Sequence, residues 1–269
     1  MASIAPPVQP AAGLGPSALG IAKRGLLKYL RTPQLVVLGT IQGALFLLIF
    51  RYVFGGAIGT EGGLDYVDFL VPGFITTGIL FSGMGAAAGV AEDLEQGLVD
   101  RLRSLPIPRS AVLAGRALSD TAVLVWGLLI TAAIGFAVGF RIHGSVADAL
   151  AALGLLVVFG FAFEWLFITL GLFAGNAQAA QGMALLVFPL TFVSSAYVPV
   201  ETMPGWMQGF AEHQPVTVMV DAVRALTQGP AAEALLGHSA GFYVVRSLLW
   251  SAAIMAVFVP LAVWRYRRG

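Results

Sequence analysis

The sequence contains no cysteine, only two lysines and few charges of either sign. The absence of cysteine excludes disulfide frameworks, thiolate metal sites and cysteine nucleophiles. The lysines, Lys23 and Lys28, follow Ala22 and Leu27, so the Gly-Lys-Ser/Thr core of a phosphate-binding P-loop occurs nowhere in the chain. A net charge of +1 provides no concentrated basic surface for nucleic acid. The composition therefore argues against an ATPase of the P-loop class and against nucleic-acid binding.

Complete catalytic sets and metal-ligand motifs are also missing. The run GHSAG at 237–241 matches the nucleophile elbow of hydrolases, but no Asp, Glu or His follows it and the preceding residues predict a helix rather than a strand. His143, His213 and His238 lack metal-ligand spacing, and His213 beside Glu212 indicates a polar contact rather than a metal site. We expect no catalytic residue, metal or cofactor on this chain.

Apolar residues are the abundant component. They make up 58% of the chain and charged residues 11%, whereas soluble domains have roughly 45 to 50% and about 25%. A helix crosses the hydrocarbon layer with roughly 20 mostly apolar residues, and six segments meet that test: 35–54, 69–90, 121–140, 149–173, 183–200 and 242–264. The fifth is short and carries Thr191, Ser194 and Ser195. The sequence predicts an all-α integral membrane protein with six transmembrane helices.

Basic residues set the orientation, because Lys and Arg are enriched on the cytoplasmic side of membrane proteins. With the N-terminus inside, 11 of the 15 basic residues lie on the inner side, and the outer side keeps Arg51, Arg141, Arg224 and Arg246. We therefore predict that both termini are cytoplasmic.

The N-terminal region divides into a tail and an amphipathic segment. Residues 1–18 are expected to form a flexible cytoplasmic tail, and 19–269 the transmembrane domain. Residues 19–31 place leucines on one helical face and Arg24, Lys28 and Arg31 on another, which predicts a helix in the inner interface. A plain anchor for the first span is the alternative.

The inner segment 92–105 predicts a short cytoplasmic helix. Leu94, Leu98, Leu102 and Leu105 recur at helical spacing, and Pro106 ends the pattern. Its acids outnumber its bases, so it is unsuited to anionic lipid and better suited to a groove on another protein. A solvated connector is the alternative.

The outer segment 201–228 is too apolar for a solvated loop and too interrupted for two crossings. Trp206, Met207 and Phe210 mark one short amphipathic helix and Val216 to Leu226 another, separated by Pro215. Such helices can dip part-way into the bilayer where protein covers their ends. We predict an outer re-entrant helix pair between spans five and six.

Glu164 is an ionisable residue near the middle of the fourth span, about 13 Å from its inner end at Phe173. Such residues normally face a cavity or a partner. With Phe161, Trp165 and Phe167 it would suit an apolar or cationic aromatic ligand, which makes these residues the expected substrate pathway. A protonated Glu164 bonded across a helix seam is the alternative.

Small residues at a spacing of four predict close helix contacts, some of them between subunits. The pairs are Gly85 with Gly89, Gly135 with Gly139, and Gly171 with Gly175. Six helices are few to enclose a pathway for a bulky substrate, so we expect a dimer.

The order of these features resembles the type-2 ABC transporter permeases, particularly the daunorubicin-resistance type of drug-efflux permease. The resemblance covers nearly the whole chain and is carried by EQGLVDRLRSLP at 95–106, FVSSAYVPVETMPGW at 192–206 and HQPV at 213–216. In that family the inner segment docks on the nucleotide-binding subunit and the outer helices cap the pathway. The resemblance implies an ATPase contact and an outer cap. The residues of the contact would be Glu95, Gly97, Leu98, Asp100, Arg101, Leu102, Arg103 and Pro106. The residues of the cap would be Pro204, Trp206, His213 and Pro215.

The resemblance also implies partners. A separate P-loop ABC ATPase would bind ATP and Mg, and a second permease copy or a homologue would complete the pathway. The substrate would be a hydrophobic small molecule that is moved outward across the plasma membrane. We expect that this membrane is bacterial. Whether the substrate is a drug or a lipid, and whether the permeases are identical, stays open. The alternative function is an ion-coupled carrier or channel that uses Glu164 as a proton relay.

Overall fold

The computed structural model describes residues 13–31, 33–55, 64–98, 101 and 108–268, and this part of the chain is helical without any strand. The helices are α1 Leu14–Arg31, α2 Pro33–Ile49, α3 Tyr66–Glu95, α4 Arg109–Ala137, α5 Val146–Phe173, α6 Ala177–Leu185, α7 Pro189–Phe192, α8 Gly205–His213, α9 Pro215–Gln228, α10 Pro230–Leu236 and α11 Ala240–Arg268. Four of them, α3, α4, α5 and α11, are long and apolar enough to cross a membrane. The structure thus confirms an all-α protein of the integral membrane type.

The N-terminal helix is longer than expected and docks on α4. It begins at Leu14, so residues 14–18 are helical rather than part of a flexible tail. One glycine on each helix allows this contact, because a Cβ at Gly25 of α1 would meet Ser119 Oγ at 2.5 Å and one at Gly115 of α4 would meet Ile21 Cβ at 2.7 Å. Its leucines remain exposed. The leucine face is therefore available to lipid, as an interfacial helix requires.

The first predicted span corresponds to α2 and a π-helical turn, Phe50–Phe54, that continues it. Leu47 is buried, whereas Ile41, Leu45 and Phe46 are exposed. This helix therefore packs against the rest of the chain along a narrow face only.

The second predicted span continues further into the cytosolic segment than expected. Helix α3 extends to Glu95 and is capped by Gln96. Gly97 comes next, with a φ of 65°, a left-handed conformation typical of residues that follow a helix. Residues 92–95 therefore form the last turn of α3 rather than the start of a separate helix. Residues 99–100 and 102–107 lie outside the described part of the chain.

Helix α3 is the centre of the bundle and packs against α5, α6 and α9. Each predicted glycine pair contributes one close contact within the chain. A Cβ at Gly171 would meet Ala87 O at 2.5 Å, one at Gly135 would meet Val71 Cγ1 at 2.8 Å, and one at Gly89 would overlap the Arg116 guanidinium. The other three glycines face open space. Close approach therefore depends on one glycine of each pair.

The fifth predicted span, 183–200, is not one continuous helix. Helix α6 ends at Leu185, α7 covers only Pro189–Phe192, and residues 193–199 are non-helical. Pro189 lacks the N–H that a helix interior uses, and the Ser194 hydroxyl donates to the backbone carbonyl oxygen of Thr191 at 2.7 Å. These residues stop the helix before it reaches the length of a span.

The outer segment forms the two expected helices, α8 and α9, but Gln214 separates them, with Pro215 as the first residue of α9. Every residue of α9 from Val216 to Gln228 is buried. The helix packs against α3, α5 and α11. It is therefore a core element of the bundle.

Candidate coupling and transport sites

A charge cluster joins three helices at the end of α3 that leads into the predicted cytosolic segment, and it is called the inner charge cluster after that predicted orientation. Its members are Lys28, Tyr29, Glu92, Asp93, Arg116 and Asp120. Arg116 Nη1 donates to Asp93 Oδ2 at 2.5 Å, and its Nε donates to Asp120 Oδ2 at 2.6 Å. Charge-assisted hydrogen bonds of this length are the strong kind. The guanidinium therefore connects the inner end of α3 to α4.

Helix α1 joins the same cluster through two side chains. The Tyr29 hydroxyl donates to Asp120 Oδ1 at 3.2 Å. Burial, and then the neighbouring Asp120 carboxylate, raises the pKa of Tyr29, so the phenol stays protonated and keeps its donor. Lys28 Nζ lies 3.7 Å from Glu92 Oε2 and 3.8 Å from Asp93 Oδ1, in a side chain that is 58% exposed. The Lys28 contacts are thus weaker than the Tyr29 contact.

Local sequence explains how α4 presents the cluster. Arg116 and Asp120 are four residues apart, so they lie on one helical face. Gly89 leaves space on α3 for the guanidinium. The cluster therefore depends on a glycine in one helix as well as on the charges in the other.

Glu164 lies in α5 within electrostatic range of this cluster. Its side chain is 1% exposed and its Oε2 has no hydrogen-bond partner in the described part of the chain. Asp120 and Arg116 are the charged groups that act on it. With Glu164 included, carboxylates outnumber the cations of the cluster, so this region holds more acidic than basic groups.

The aromatic residues expected beside Glu164 do not share one surface. Phe161 and Trp165 pack in a small apolar cluster with α4 and α11, with ring centroids 6.3 Å apart. Phe167 is buried in the main core, where its ring fills the space beside Gly83. The structure thus places Phe167 in a different apolar cluster from Phe161 and Trp165.

The residues expected at the ATPase contact lie at the inner end of α3 and beyond it. Glu95 is the last residue of α3, Gly97 lies two residues after it, and Leu98 is half-buried. Glu95, Gly97 and Arg101 are exposed. The remaining expected residues, Asp100, Leu102, Arg103 and Pro106, lie outside the described part of the chain.

The four expected cap residues mark the ends of the outer helices. Pro204 precedes α8 and Trp206, which is 83% exposed, lies in its first turn. His213 ends α8, where its carbonyl oxygen accepts the Trp250 Nε1–H at 3.0 Å, and Pro215 begins α9. The structure thus brings His213 and Pro215 together at one junction and leaves Trp206 at the other end of α8.

An outer polar cluster was missed by the sequence analysis. It consists of Ser195, Gln214, Thr217, Asp221 and Arg224. Arg224 is fully buried, donates to Asp221 Oδ1 at 2.9 Å and to Ser195 O at 2.8 Å, and stacks on the Phe69 ring at 3.7 Å. Its Nη2 also donates to Phe69 O at 3.0 Å. Arg224 therefore connects α9, α3 and the non-helical segment 193–199.

The outer polar cluster satisfies the backbone of the interrupted fifth span. Gln214 Nε2 donates to Leu190 O and Val193 O, Arg224 donates to Ser195 O, and the Tyr66 hydroxyl donates to Tyr197 O at 3.4 Å. Non-helical backbone at membrane depth is tolerated where protein buries it and supplies its hydrogen bonds. The sequence contained one signal for the outer polar cluster, because Asp221 and Arg224 are oppositely charged residues three positions apart in an apolar segment.

A cleft of about 470 Å³ opens at the outer ends of α3 and α9. It is lined by Leu64, Asp65, Asp68, His143, Gln228, Pro230 and Ala231. His143 Nδ1 lies 2.9 Å from Gln228 Oε1, and the Arg141 backbone N–H donates to Asp68 Oδ1 at 2.9 Å. None of the expected pathway or cap residues lines this cleft.

Comparison with known proteins places the chain in a family. The model of the ABC-2 type transporter family matches residues 18–227. The chain is 33% identical over 246 residues to the daunorubicin resistance ABC transporter permease protein DrrB1 of Streptomyces coeruleorubidus, an alignment that covers 91% of this chain and 83% of that protein.

Two further relatives are similar. The probable doxorubicin resistance ABC transporter permease protein DrrC of Mycobacterium tuberculosis is 28% identical, with 91% of this chain and 86% of that protein covered. The inner membrane transport permease YadH of Escherichia coli K12 is 28% identical, with 71% and 74% covered. Together with the long apolar helices, these matches indicate a multi-pass protein of the plasma membrane. This chain belongs to the ABC-2 type transporter family and is a permease subunit of an ABC exporter.

Proposed function

We propose that the chain exports hydrophobic or amphipathic molecules, such as drugs, antibiotics or lipids, using ATP that a separate subunit hydrolyses. The drug-resistance names of the two relatives with the widest coverage support this substrate class. The proposed topology has six spans and two cytoplasmic termini. The first span is α2, and the fifth consists of α6, α7 and the non-helical segment 193–199 that follows them. The chain itself carries no ATP, Mg or other cofactor, and its partners are the ATPase and a second permease.

The observation that carries this proposal is the position of the inner charge cluster. Asp93 lies two residues before the end of α3, and Arg116 and Tyr29 attach that end to α4 and α1. A displacement of the cytosolic segment by an ATPase would therefore move three helices together. In this mechanism, ATP binding closes two ATPase subunits, the segment after Glu95 follows them, and the rigid helices carry the motion to the pathway.

The ATPase contact is tested by replacing Leu98 with Asp. Leu98 follows the end of α3 and is half-buried. A carboxylate in an apolar contact loses its hydration without gaining a partner. We expect at least a tenfold loss of ATPase co-purification, equivalent to about 1.4 kcal/mol of binding free energy, and a matching loss of export.

The control for this test is Leu98→Met, which keeps an apolar side chain of similar volume and should retain export. Both variants should reach the membrane in equal amounts. Wild-type export by Leu98→Asp would contradict the role of this segment.

Glu164→Gln tests whether the buried carboxylate takes part in substrate selection. Gln has nearly the same shape but cannot carry the negative charge that attracts a cation. If Glu164 lies on the pathway, export of a cationic substrate should fall about tenfold, which corresponds to about 1.4 kcal/mol, while export of a neutral substrate of similar size stays near wild type.

The control is Asp148→Asn, because Asp148 is a partly exposed carboxylate in the first turn of the same helix, where its contacts are with Ser145. An equal loss for cationic and neutral substrates would contradict the pathway role and favour a structural role for Glu164. Export that follows a proton gradient without ATP would instead favour the ion-coupled carrier.

A further inference from the structure

The cleft at the outer ends of α3 and α9 has a buried floor and an exposed rim. The floor consists of Leu64, Asp68 and Gln228, which are 7%, 6% and 1% exposed. The rim consists of Asp65, His143, Pro230 and Ala231, which are all exposed. A side chain on the floor therefore meets another molecule through the cleft.

Asp68 is a buried carboxylate without a cation beside it. Its Oδ1 accepts the backbone N–H of Arg141 at 2.9 Å, and its Oδ2 accepts no hydrogen bond from any residue that the structure describes. Asp68 also forms no ion pair within the described part of the chain. A carboxylate has about four lone-pair sites. Asp68 can therefore accept further hydrogen bonds from a molecule in the cleft.

Arg141 gives its backbone to Asp68 but directs its guanidinium elsewhere. Its Nη1 donates to Phe136 O at 2.9 Å and to Phe140 O at 2.7 Å. Phe136 lies in the last turn of α4, where a cation is favoured because the helix dipole is negative at that end. The guanidinium thus stabilises the end of α4 and leaves the negative charge of Asp68 uncompensated.

Two hydrogen bonds hold the imidazole on the rim. Gln228 Nε2 donates to Arg141 O at 2.9 Å, so the Oε1 of the same amide is an acceptor. His143 Nδ1 lies 2.9 Å from this oxygen and must therefore carry a proton. In the neutral ring Nε2 is then an acceptor, so His143 adds an acceptor to the cleft without a positive charge.

We propose that the cleft binds the ammonium group of an amphipathic amine, with Asp68 and Asp65 as its negative charges. An ammonium group has three donors and no acceptor, which matches a site whose side chains offer acceptors. Leu64, Pro230 and Ala231 line the same cleft and suit the hydrocarbon part of such a molecule. The inference rests on the proposed function and deepens it, because it names the charge of one substrate class and a site for it on the predicted outer side.

A metal ion and an anion fit the cleft less well. Metal sites need several converging ligands, and no group of three metal-ligating side chains occurs in the described ranges of the chain. The two carboxylates repel an anion. The volume of about 470 Å³ falls within the range of small-molecule sites, about 300 to 1,000 Å³. An organic cation uses both the carboxylates and the apolar walls.

Binding of dansylcadaverine, a fluorescent primary amine, tests the inference. The complex of the chain with its ATPase is placed in lipid nanodiscs without nucleotide and titrated with the amine, while the neutral N-acetyl derivative measures partition into lipid. Asp68→Asn keeps an oxygen for the Arg141 N–H but removes the charge. We expect the Kd of the amine to rise about tenfold, which corresponds to about 1.4 kcal/mol, and the signal of the neutral derivative to stay unchanged.

The matched control is Glu212→Gln, which removes an exposed negative charge from a residue that does not line the cleft. Its Kd for the amine should equal that of the wild type. Wild-type binding of the amine by Asp68→Asn would overturn the inference. Equal binding of the amine and its neutral derivative by the wild type would overturn it as well.

Two substitutions on the rim test the role of charge without touching the buried carboxylate. Ala231 is exposed in the first turn of α10, so Ala231→Lys and Ala231→Glu should leave the buried contacts intact. Both add a long side chain, but of opposite charge. We expect Ala231→Lys to weaken amine binding about tenfold and Ala231→Glu to bind at least as tightly as the wild type. Equal Kd values for these two variants would overturn the inference.

The outcome can be separated from that of the proposed function. ATP-dependent export of a neutral substrate by the wild-type complex is measured in the same preparation. If the complex exports and its amine binding does not depend on Asp68, the cleft site is wrong while the exporter function stands. If the wild-type complex exports no substrate with ATP, the proposed function is wrong, whatever the binding result.

Discussion

Replacing Arg116 with Leu is expected to abolish ATP-driven export and to destabilise the helical bundle by about 3 to 5 kcal/mol, the usual cost of removing one partner from a buried ion pair. The Arg116 side chain is 17% exposed, and its partners Asp93 and Asp120 would lose their strongest contacts. Their charges would then lie close together without the guanidinium that now separates them. Thermal unfolding in detergent, followed by circular dichroism, measures the stability, and drug accumulation in cells measures export.

Two variants serve as controls for this result. Lys28→Ala removes a cation from the same cluster, but one whose contacts are long and largely exposed, so the expected loss is below about 1 kcal/mol. Arg116→Lys keeps the charge and loses the planar fork that reaches two carboxylates, so an intermediate result is expected. Export at the wild-type rate by Arg116→Leu would contradict the view that the inner charge cluster transmits motion.

Replacing Arg224 with Met should have an effect of similar size on the outer half of the bundle. The change leaves Asp221 buried without its cation and removes the donors to Phe69 O and Ser195 O. We expect a loss of about 3 to 5 kcal/mol in stability. We also expect α9 to separate from the non-helical segment 193–199, which limited proteolysis from the outer side would detect as new cleavage in that segment.

Arg246→Met is the matched control. Arg246 is also on the outer side, but its guanidinium lies 5.2 Å from the Phe242 ring and is only partly buried, so its removal should cost less than about 1 kcal/mol. Similar unfolding temperatures for Arg224→Met and the wild type would show that α9 is held by its apolar contacts alone.

Hydropathy predicted the long helices well, because a run of apolar residues long enough to cross the bilayer has few alternatives to a helix. The segments 69–90, 149–173 and 242–264 all lie within α3, α5 and α11. The segment 121–140 overlaps α4, which begins earlier, at Arg109, and ends earlier, at Ala137. Its inner turns carry Arg116 and Asp120, whose charges hide a helical segment from a hydropathy count.

The interrupted fifth span could not be predicted from its own residues. Its backbone is satisfied by Gln214 and Arg224, which come 21 to 29 residues later in the chain. The comparison of Lys and Arg numbers on the two sides of the membrane assigned Arg224 to the outer side, because that comparison uses only the position of a residue in the sequence. The burial of Arg224 follows from the packing of α9 between α3, α5 and α11, which no local pattern contains.

The contacts of the inner charge cluster also could not be predicted from local sequence patterns. The sequence predicted that 92–105 lies on the cytosolic side, and the resemblance implied an ATPase contact there. It did not indicate that Asp93 meets Arg116, since the two are 23 residues apart and need Gly89 to approach each other. Glu164 was recognised as exceptional from its position alone, but its relation to Asp120 required the structure.

Reconstitution in lipid vesicles tests most directly whether the energy for export comes from another subunit. The purified chain is incorporated alone and together with its ATPase, and accumulation of a fluorescent substrate against its gradient is followed with and without Mg-ATP. We expect accumulation only when both subunits and Mg-ATP are present. Accumulation by the chain alone, at the rate of the complete complex, would contradict the account.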